Sequence, residues 1–439
     1  MDRPARTLPQ SRPQAWVSVE TIQLLGMESQ QGAFWPGLRL LKCNIGWEIV
    51  PFISLFLSPT ITHLDFTLPH ESNRLLQPTL SLLSHTCRKL VSLTMELHTS
   101  DPLSGGEMGR LISASRNTLR LIEITPFTPQ GVFPAIINLP QLQDLILREP
   151  HLPDQIPPAV LPHFRNITLE GKHGPNLLQF FKGVPVKRLT GVKITRGGII
   201  QLFPLLELLR GASATMDNLC LSPLTALDRS SVTLLYSFTH ITRLVIGCVC
   251  EDGSARGIPC GFQLTDENIQ KLGEALPRIK CLYLASSCRA PHHVTFPSLV
   301  RLSRACGDLG DLGIKVDFTG IIDGSDQLND SGPDLGANGA RPQRTISGLS
   351  QLRLGNSALP NTPRCEWVVA LALVSIFPSI QSVSTIGAGE MGRRWDDVRG
   401  AMITCKKTFR IAQVTSKHLS TYVGDSNVDA FTFKATPVP

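Results

Sequence analysis

The glycine-rich segment 386–392 has the most enzyme-like spacing in the sequence. Gly387, Gly389 and Gly392 follow a predicted strand and precede a predicted helix, a context in which glycines let a pyrophosphate approach the backbone at a helix N-terminus. However, the next predicted strand, 408–414, is followed by Thr-Ser-Lys rather than by the acidic residue that binds a ribose. Too little chain follows Gly392 for the second half of a dinucleotide-binding domain. We therefore predict a turn here, and an NAD-type enzyme stays only as a remote alternative.

A scattered group of cysteines and histidines could supply zinc ligands. Its spacing, Cys-x-Cys and then gaps of nine and twenty residues, matches no common zinc module, and Cys281 is expected on the solvent-facing side of a strand. No Ser/His/Asp or Cys/His arrangement typical of nucleophilic catalysis stands out either. We therefore predict no metal, no cofactor and no catalytic residue, and a protein that is not an enzyme. The zinc candidates are Cys248, Cys250, Cys260, Cys281, Cys288, His292 and His293.

Composition is typical of a folded, globular protein. Apolar residues make up 42% of the 439 residues and charged residues 18%, a balance that disordered chains lack. The longest apolar run, 368–377, is ten residues, against the roughly 20 that a membrane-spanning helix needs, so we predict no membrane segment. The start of the chain is too polar for a signal peptide. The 11 cysteines are therefore expected to be reduced thiols in the cytosol or nucleus.

One helix–strand unit, residues 264–284, organises the rest of the chain. Thr265 is placed to cap a helix whose apolar residues fall on one face, and Pro277 ends that helix. A short strand follows, in which Leu282 and Leu284 alternate with more polar residues. Such a unit cannot bury its apolar side alone, so it needs a copy of itself on either side.

The copies are found as a strand pattern, apolar-x-x-apolar-x-apolar, that recurs thirteen times from Leu38 to Ile380. These 342 residues make 12 steps of about 28 residues each, within the roughly 20–29 residue period of leucine-rich repeats. The pattern predicts an α/β leucine-rich repeat solenoid of about 12–13 irregular repeats. In this architecture a curved parallel sheet lines the concave face, and helices and irregular turns form the convex face.

The irregular spacing resembles the leucine-rich repeats of fungal F-box proteins. The segments Phe34-Trp-Pro-Gly-Leu-Arg-Leu-Leu41 and Leu57-Ser-Pro-Thr-Ile-Thr-His-Leu-Asp-Phe66 carry the resemblance, which covers about 34–386. It implies a non-catalytic protein-binding scaffold, the substrate-recognition part of an F-box-type ubiquitin ligase receptor. Proteins of that family usually begin with a helical F-box that binds an adaptor. Leu8-Pro9 is the only part of this sequence that resembles an F-box. The F-box is therefore expected to be missing or to lie outside this chain, and a plain repeat scaffold unrelated to ubiquitin is the alternative.

Three regions are predicted along the chain. Residues 1–33 form a flexible N-terminal arm or cap, 34–386 the repeat array, and 387–439 a C-terminal capping region and tail. Insertions at about 247–262 and 317–343 interrupt the array, and the second is rich in Gly, Asp and Asn with little to bury. Within the capping region, 394–405 is predicted as a helix and 408–414 as a strand.

The net charge of +7 is unevenly distributed, because seven basic residues and three acidic ones lie between Glu390 and Lys417. This cluster could contact an acidic partner. Aromatic residues do not alternate with the basic ones as they do in proteins that bind single strands. A solvated cap is the simpler interpretation, and a nucleic acid partner is not expected.

The predicted binding surface follows from the strand pattern. If each strand buries its last two pattern positions, the side chains between and around them must face the concave side. A hydrated strand face explains most of these residues one by one, and the binding interpretation depends on the size of the surface. We predict a protein partner on this face, and a ubiquitin-ligase adaptor as a second partner if an F-box exists. The predicted partner-binding residues are His63, Asp65, Thr94, Glu96, Asp144, Arg148, Thr168, Glu170, Arg243, Tyr283, Lys315 and Arg353.

Overall fold

The structure is a computed structural model, in which residue contacts divide the chain into two compact units, Met1–Phe262 and Gln263–Pro439. The predicted N-terminal arm, most of both insertions and the tail after residue 422 lie outside the residues that it describes. The described residues are 21, 24, 35–44, 50–67, 73–97, 102–126, 130–150, 152, 161–171, 176–195, 201–224, 226–248, 261–262, 264–285, 288, 293–321, 348–355, 357–362, 364–385 and 390–422.

The first unit is built on a parallel sheet in which consecutive strands are neighbours, except that a short pair, β9 (Ala226–Leu227) and β11 (Gly261–Phe262), forms a separate ladder. The strands of the main sheet are β1 (Leu40–Asn44), β2 (His63–Thr67), β3 (Ser92–Leu97), β4 (Leu121–Pro126), β5 (Asp144–Arg148), β6 (Asn166–Glu170), β7 (Gly191–Thr195), β8 (Asn218–Leu224) and β10 (Arg243–Cys248).

Parallel neighbours require a crossover, and helical segments lie in all of these crossovers except that from β5 to β6, where the described residues contain none. The crossover from β1 to β2 contains only the 3₁₀ helix Val50–Phe56, whereas Gln130–Val132, Val186–Arg188 and Arg210–Ala212 are 3₁₀ turns that accompany an α-helix. The α-helices are α1 (Asn73–Thr86), α2 (Pro102–Ala114), α3 (Phe133–Ile136), α4 (Leu177–Gly183), α5 (Leu202–Leu209) and α6 (Arg229–Leu235).

The second unit repeats the scheme with fewer strands and, on average, longer helices. Its parallel strands are β12 (Cys281–Leu284), β13 (Asp311–Ile314), β14 (Gln351–Gly355) and β15 (Ser382–Thr385). Its helices are α7 (Asp266–Ala275), α8 (Phe296–Ala305), α9 (Cys365–Ile376) and α10 (Glu390–Tyr422), with one 3₁₀ turn at Thr319–Ile321. The predicted α/β class with a parallel sheet is therefore confirmed for both units.

The strand pattern buries the side chains that the sequence predicts. On β2, for example, Leu64 and Phe66 are buried while His63 is exposed and Asp65 is half-buried. The equivalent two apolar positions are buried on every later strand of the pattern up to β14. Only the first and last strands deviate, where Cys43 and Thr385 stay half-buried. A terminal strand has one neighbour fewer, so its outermost position is less well covered.

Helix α7 begins as predicted. The Thr265 side chain accepts a hydrogen bond from the Asn268 backbone N–H, and the Asn268 side chain accepts one from the Thr265 backbone N–H, which forms a capping box. Ile269 and Leu272 are buried on the inner face. Gly273 allows α8 to approach, because a Cβ there would lie 3.1 Å from that of Ala305.

The predicted strand 408–414 is wrong, since α10 continues through it to Tyr422. Trp395, Val398, Met402 and Cys405 are buried along one side of the helix, a spacing that keeps one helical face against the unit. From 401 to 422 the sequence contains neither glycine nor proline to end the helix. The β-branched residues after Lys407 are therefore overridden by the helix that precedes them. The predicted helix 394–405 is confirmed as part of α10.

Polar contacts dock the start of α10 onto α9. Arg394 Nε donates to Glu366 Oε1 at 2.8 Å, and its other nitrogens reach Asn361 Oδ1, the Pro360 carbonyl and Cys365 Sγ. The neighbouring Trp395 is fully buried. Its Nε1 donates to the Ser357 carbonyl at 3.1 Å. These contacts fix the first turn of the helix in place.

Among the described residues, no helix is both long and apolar enough to cross a bilayer.

The register of β2 can be tested by a pair of neighbouring substitutions. Leu64 is 1% exposed, so Leu64→Ala should lower the free energy of unfolding by about 2–5 kcal/mol. Asp65→Ala removes only an exposed ion pair with Lys42, which should cost less than about 1 kcal/mol. Urea denaturation measures both values, and equal losses would show that the buried and exposed positions are misassigned.

The ion pair between Arg394 and Glu366 predicts a pH dependence. Burial alone raises the pKa of Glu366, but hydrogen bonds from Arg394 and the backbone outweigh it, and the net pKa lies below the ordinary value. The stabilisation is thus present above the unfolded pKa of about 4.3 and is lost as the pH falls through the lower folded pKa. Glu366→Gln should reduce the free energy of unfolding by about 1–2 kcal/mol at pH 7 and by less below about pH 4.

Glu267→Gln is the matched control, because its carboxylate pairs with Lys271 within α7 while 65% exposed. Its effect should stay below about 0.5 kcal/mol across the same pH range. Urea denaturation between pH 3 and 7 compares the two variants. An effect of Glu366→Gln that does not shrink in acid would contradict the lowered pKa.

Candidate functional site

The outward side chains of the first unit form rows across its strands, because the ladder keeps strict register. We call these rows, with their counterparts in the second unit, the strand face. The first row holds Leu40, His63, Ser92, Leu121, Asp144, Asn166, Gly191, Asn218 and Arg243. The middle row holds Lys42, Asp65, Thr94, Glu123, Ile146, Thr168, Lys193, Cys220 and Val245. A third, interrupted row holds Thr67, Glu96 and Thr125, and then Arg148, Glu170 and Thr195.

A network of four charged side chains crosses β4 to β7. Arg148 Nε lies 3.1 Å from Glu170 Oε2, and its Nη2 lies 3.9 Å from Glu123 Oε1. Lys193 Nζ lies 2.5 Å from the other oxygen of Glu170. Exposed ion pairs contribute little to stability, about 0–1 kcal/mol each. What the network does is hold Arg148, half of whose side chain is exposed, in a defined position.

Smaller pairs occupy β1 to β3. Lys42 Nζ lies 2.8 Å from Asp65 Oδ2, and this hydrogen bond and charge raise the pKa of Lys42. In the third row, Thr67 Oγ1 donates to Glu96 Oε2 at 3.1 Å. Each contact joins equivalent positions on adjacent strands, so side chains of predicted site residues are held by partners that the strand register dictates.

An amide-centred cluster lies where β5 to β7 begin. Asn166 Nδ2 donates to Asp144 Oδ1 at 2.6 Å, and Thr190 Oγ1 donates to Asn166 Oδ1 at 2.9 Å. The Asn166 side chain extends over Gly191, where a Cβ would come within 2.6 Å of its Oδ1. The glycine thus makes room for a neighbour's side chain. Two strands further on, Arg243 is exposed.

The second unit uses a glycine in the same way. Tyr283, Gly313 and Arg353 are in register on β12, β13 and β14. A Cβ on Gly313 would overlap the Tyr283 ring, so the ring lies across the intervening strand. The guanidinium carbon of Arg353 then lies 5.0 Å from the ring centroid, within the range of a cation–π interaction. The missing side chain at Gly313 is what lets residues two strands apart meet.

The predicted site residues thus fall into separate groups. Those of the first unit lie on the three rows, and Tyr283 and Arg353 meet in the second. Lys315 is not part of that pair, since it follows β13 and its Nζ donates to the Cys288 carbonyl at 3.4 Å. Sequence reasoning missed Lys42, Glu123 and Lys193, although each lies between the last two apolar positions of the same strand pattern and could have been found by it.

Four of the cysteine and histidine candidates, Cys248, Cys281, Cys288 and His293, lie among the described residues. Within those ranges, no group of three or more His, Cys, Asp or Glu side chains is arranged to hold a metal ion. Cys281 is buried at 6% exposure, so its predicted solvent-facing position is wrong; its side chain is short, and it is in register with the longer Asp311 on β13. Cys250, Cys260 and His292 lie outside the described residues.

Three thiols are poor candidates for nucleophiles. Burial raises the pKa of Cys43 to about 11 and those of Cys87 and Cys306 to about 12. These groups therefore stay protonated at physiological pH, and the thiolate is the reactive form.

In the part of the chain that the structure describes, no strand follows the helix after the glycine motif, where a dinucleotide site needs one. Gly387 and Gly389 lie outside the described residues, and Gly392 is in the first turn of α10. Where a βαβ unit requires a second strand, α10 simply continues.

No known family model matches the chain, and no curated protein matches it at a significant level.

The packing of the Tyr283 ring across Gly313 predicts a thermodynamic coupling between these two positions. Gly313→Ala should displace the tyrosine ring and cost about 1–3 kcal/mol, as overpacking does. In a Tyr283→Ala background the same change should be nearly neutral, because the ring is gone. Melting curves of the four proteins of this double-mutant cycle give the coupling energy. Gly307→Ala is the control, since a Cβ there meets nothing within 4 Å; additive effects of the two substitutions would contradict the packing described.

Proposed function

We propose that this chain is a leucine-rich repeat scaffold that binds a protein partner through its strand face. The finer proposal is that it serves as the substrate-recognition part of an F-box-type ubiquitin ligase receptor. The first statement is supported by the arrangement of polar side chains on the strands. The second is supported by the sequence resemblance alone.

The repeat assignment is supported by the order of the strands and their spacing. In each unit, consecutive strands of the pattern pair in parallel and bury the same two positions. Among the described residues, helices or 3₁₀ turns lie in every connection of these strands except that from β5 to β6. A repeating helix–strand unit of about 28 residues is what leucine-rich repeats have.

The binding proposal is carried by one observation, the pre-positioning of charged groups on the strand face. Arg148 is held by Glu123 and Glu170, and Arg353 lies against Tyr283. Both arginines nevertheless remain exposed. A partner that contacts them need not immobilise flexible side chains, so less conformational entropy is lost on binding.

The charges of the strand face suit a protein better than a uniformly charged ligand. Lys42, Asp65, Glu123 and Lys193 share the middle row, so basic and acidic groups occur together in one row. Mixed signs provide electrostatic complementarity to another protein surface and discriminate against wrong partners. A nucleic-acid surface would instead be predominantly basic.

A face variant tests the proposal. It combines His63→Ala, Arg148→Gln and Arg243→Glu, which remove exposed groups without placing a new carboxylate beside Glu123 and Glu170. Surface changes of this kind alter stability by only about 0.5 kcal/mol each, so the variant should keep its melting temperature. In quantitative affinity purification from the native cell, it should lose the partners that the wild type retains.

The matched control carries three comparable changes on exposed helix positions, Gln270→Ala, Lys182→Gln and Arg229→Glu. It should retain the partners. Binding through the strand face would be contradicted if both variants lost the partners equally, or if both retained them.

The same partners separate the ubiquitin receptor from a plain repeat scaffold. If the chain presents substrates to a ligase, a partner lost from the face variant should live longer in cells that lack the protein. The partner's half-life is measured after protein synthesis is stopped, in cells with and without the protein. Equal half-lives would exclude the ubiquitin receptor and favour the plain repeat scaffold.

A further inference from the structure

The segments that lead into the nine strands of the first sheet are strongly basic. Since these strands are parallel, all nine segments lie at the same edge of the sheet, which we call the amino edge. They are residues 35–39, 57–62, 87–91, 115–120, 137–143, 161–165, 184–190, 210–217 and 236–242. Their basic residues, all exposed, are Arg39, Arg88, Lys89, Arg116, Arg120, Arg165, Lys187, Arg188 and Arg210, against Asp217 as their one carboxylate.

This is an excess of eight positive charges, nine minus one, in a chain whose total net charge is +7. Among the ion pairs of the described residues, none includes any of these nine side chains. Two of them donate to carbonyls instead, Arg88 to His85 and Arg188 to Pro162. The single carboxylate, Asp217, accepts from Thr242 Oγ1 at 2.7 Å.

Helix ends account for only part of this charge. Cations just beyond a helix C-terminus are favoured by the helix dipole, which explains Arg88 after α1 and Arg210 after α5. Arg39, Arg120 and Arg165 are at the strand starts instead. Each of these three uses its backbone carbonyl to accept two N–H groups from the next strand's first residues, so their side chains are left free of any role in the ladder.

The repeat architecture itself does not require a basic edge. Among the described residues that precede the strands of the second unit, 276–280, 306–310, 348–350 and 377–381, the charged residues are Arg278, Lys280 and Asp308. The excess is therefore a property of the first unit and not of the strand pattern.

We propose that the amino edge of the first unit binds an extended acidic segment of a protein partner. Seven of its nine cations are arginines, whose planar fork binds a carboxylate with two hydrogen bonds. Neighbouring strands are about 4.8 Å apart, so eight steps from β1 to β10 give an edge of roughly 38 Å. An extended peptide covers that length with about 12 residues at roughly 3.3 Å each.

Two features favour an acidic peptide over a nucleic acid. Base stacking needs free aromatic rings, whereas Trp35, the exposed aromatic residue of these segments, is stacked on Phe56 with ring centroids 5.5 Å apart. Beside the edge, α1 and α2 form a shallow groove that a side-chain carboxylate could enter. Its lining residues are Ser81, Ser84, His85, Arg88, Arg110 and Ala114.

The test is fluorescence anisotropy with a labelled peptide of about 12 residues that has glutamate at alternate positions. The edge variant replaces Arg39, Arg120 and Arg165 with glutamine. We expect the wild type to bind the peptide more weakly as salt is raised, and the edge variant to bind at least tenfold more weakly than the wild type at low salt. The melting temperature should not change, since only the backbone of these residues takes part in the ladder.

The control variant removes the same charge from exposed helix positions of the second unit, as Arg301→Gln, Arg304→Gln and Lys407→Gln. It should bind the peptide within twofold of the wild type. Equal losses from the two variants would assign the binding to net charge and overturn the proposal. The proposal would also be overturned if the wild type did not bind the peptide. A third contradicting result would be a duplex DNA of similar charge that binds tenfold more tightly than the peptide through the same arginines.

Discussion

On each internal strand, two apolar side chains separated by one residue point to the same side and are covered by the equivalent pairs on the strands before and after. Leu93 and Met95 of β3, for instance, are in register with Leu64 and Phe66 on one side and with Ile122 and Ile124 on the other. No strand could bury this surface alone, so the stability of each repeat depends on its neighbours. A shift of the register by one residue would expose the whole set. This pairing of the strands also determines where the helices and the polar rows lie.

In the polar rows, the strand register alone holds outward side chains in defined positions, and no further structural element is needed. Equivalent positions on adjacent strands are a constant distance apart. A side chain can therefore extend over the next strand only where the residue there is complementary to it or is a glycine without a side chain. Glu170 satisfies the first condition, with Arg148 on one side and Lys193 on the other. Gly313 and Gly191 satisfy the second, since each leaves a space that a ring or an amide from the preceding strand fills. In a strand, glycine otherwise weakens packing, and here that loss is offset by contacts between the outward side chains.

Most of the strand architecture could be predicted from the sequence because it is encoded locally. The pattern that marks Leu282 and Leu284 as buried, and Thr265 as a helix cap, lies within a few residues of each position. What escaped prediction depends on distant residues. The helical state of 408–414 follows from the buried stripe that starts at Trp395, and the burial of Cys281 follows from its neighbours in the folded sheet. Likewise, the arginine–glutamate network and the basic amino edge become apparent only when strands from separate repeats are placed side by side.

The paired hydrogen bonds at the start of each strand have a consequence for how such an array can change over evolutionary time. The Arg120 carbonyl accepts the N–H groups of Gln143 and Asp144, and the Gln143 carbonyl then accepts those of Arg165 and Asn166. An extra residue inserted just before a strand would break the two hydrogen bonds to the preceding strand and the two to the following strand. The same residue added after a strand ends meets no such restriction. Accordingly, the two longest intervals of the sequence pattern contain the insertions at about 247–262 and 317–343, which begin near the ends of β10 and β13. Gene segments encoding those intervals can lengthen or diverge while the order of the strands is inherited unchanged.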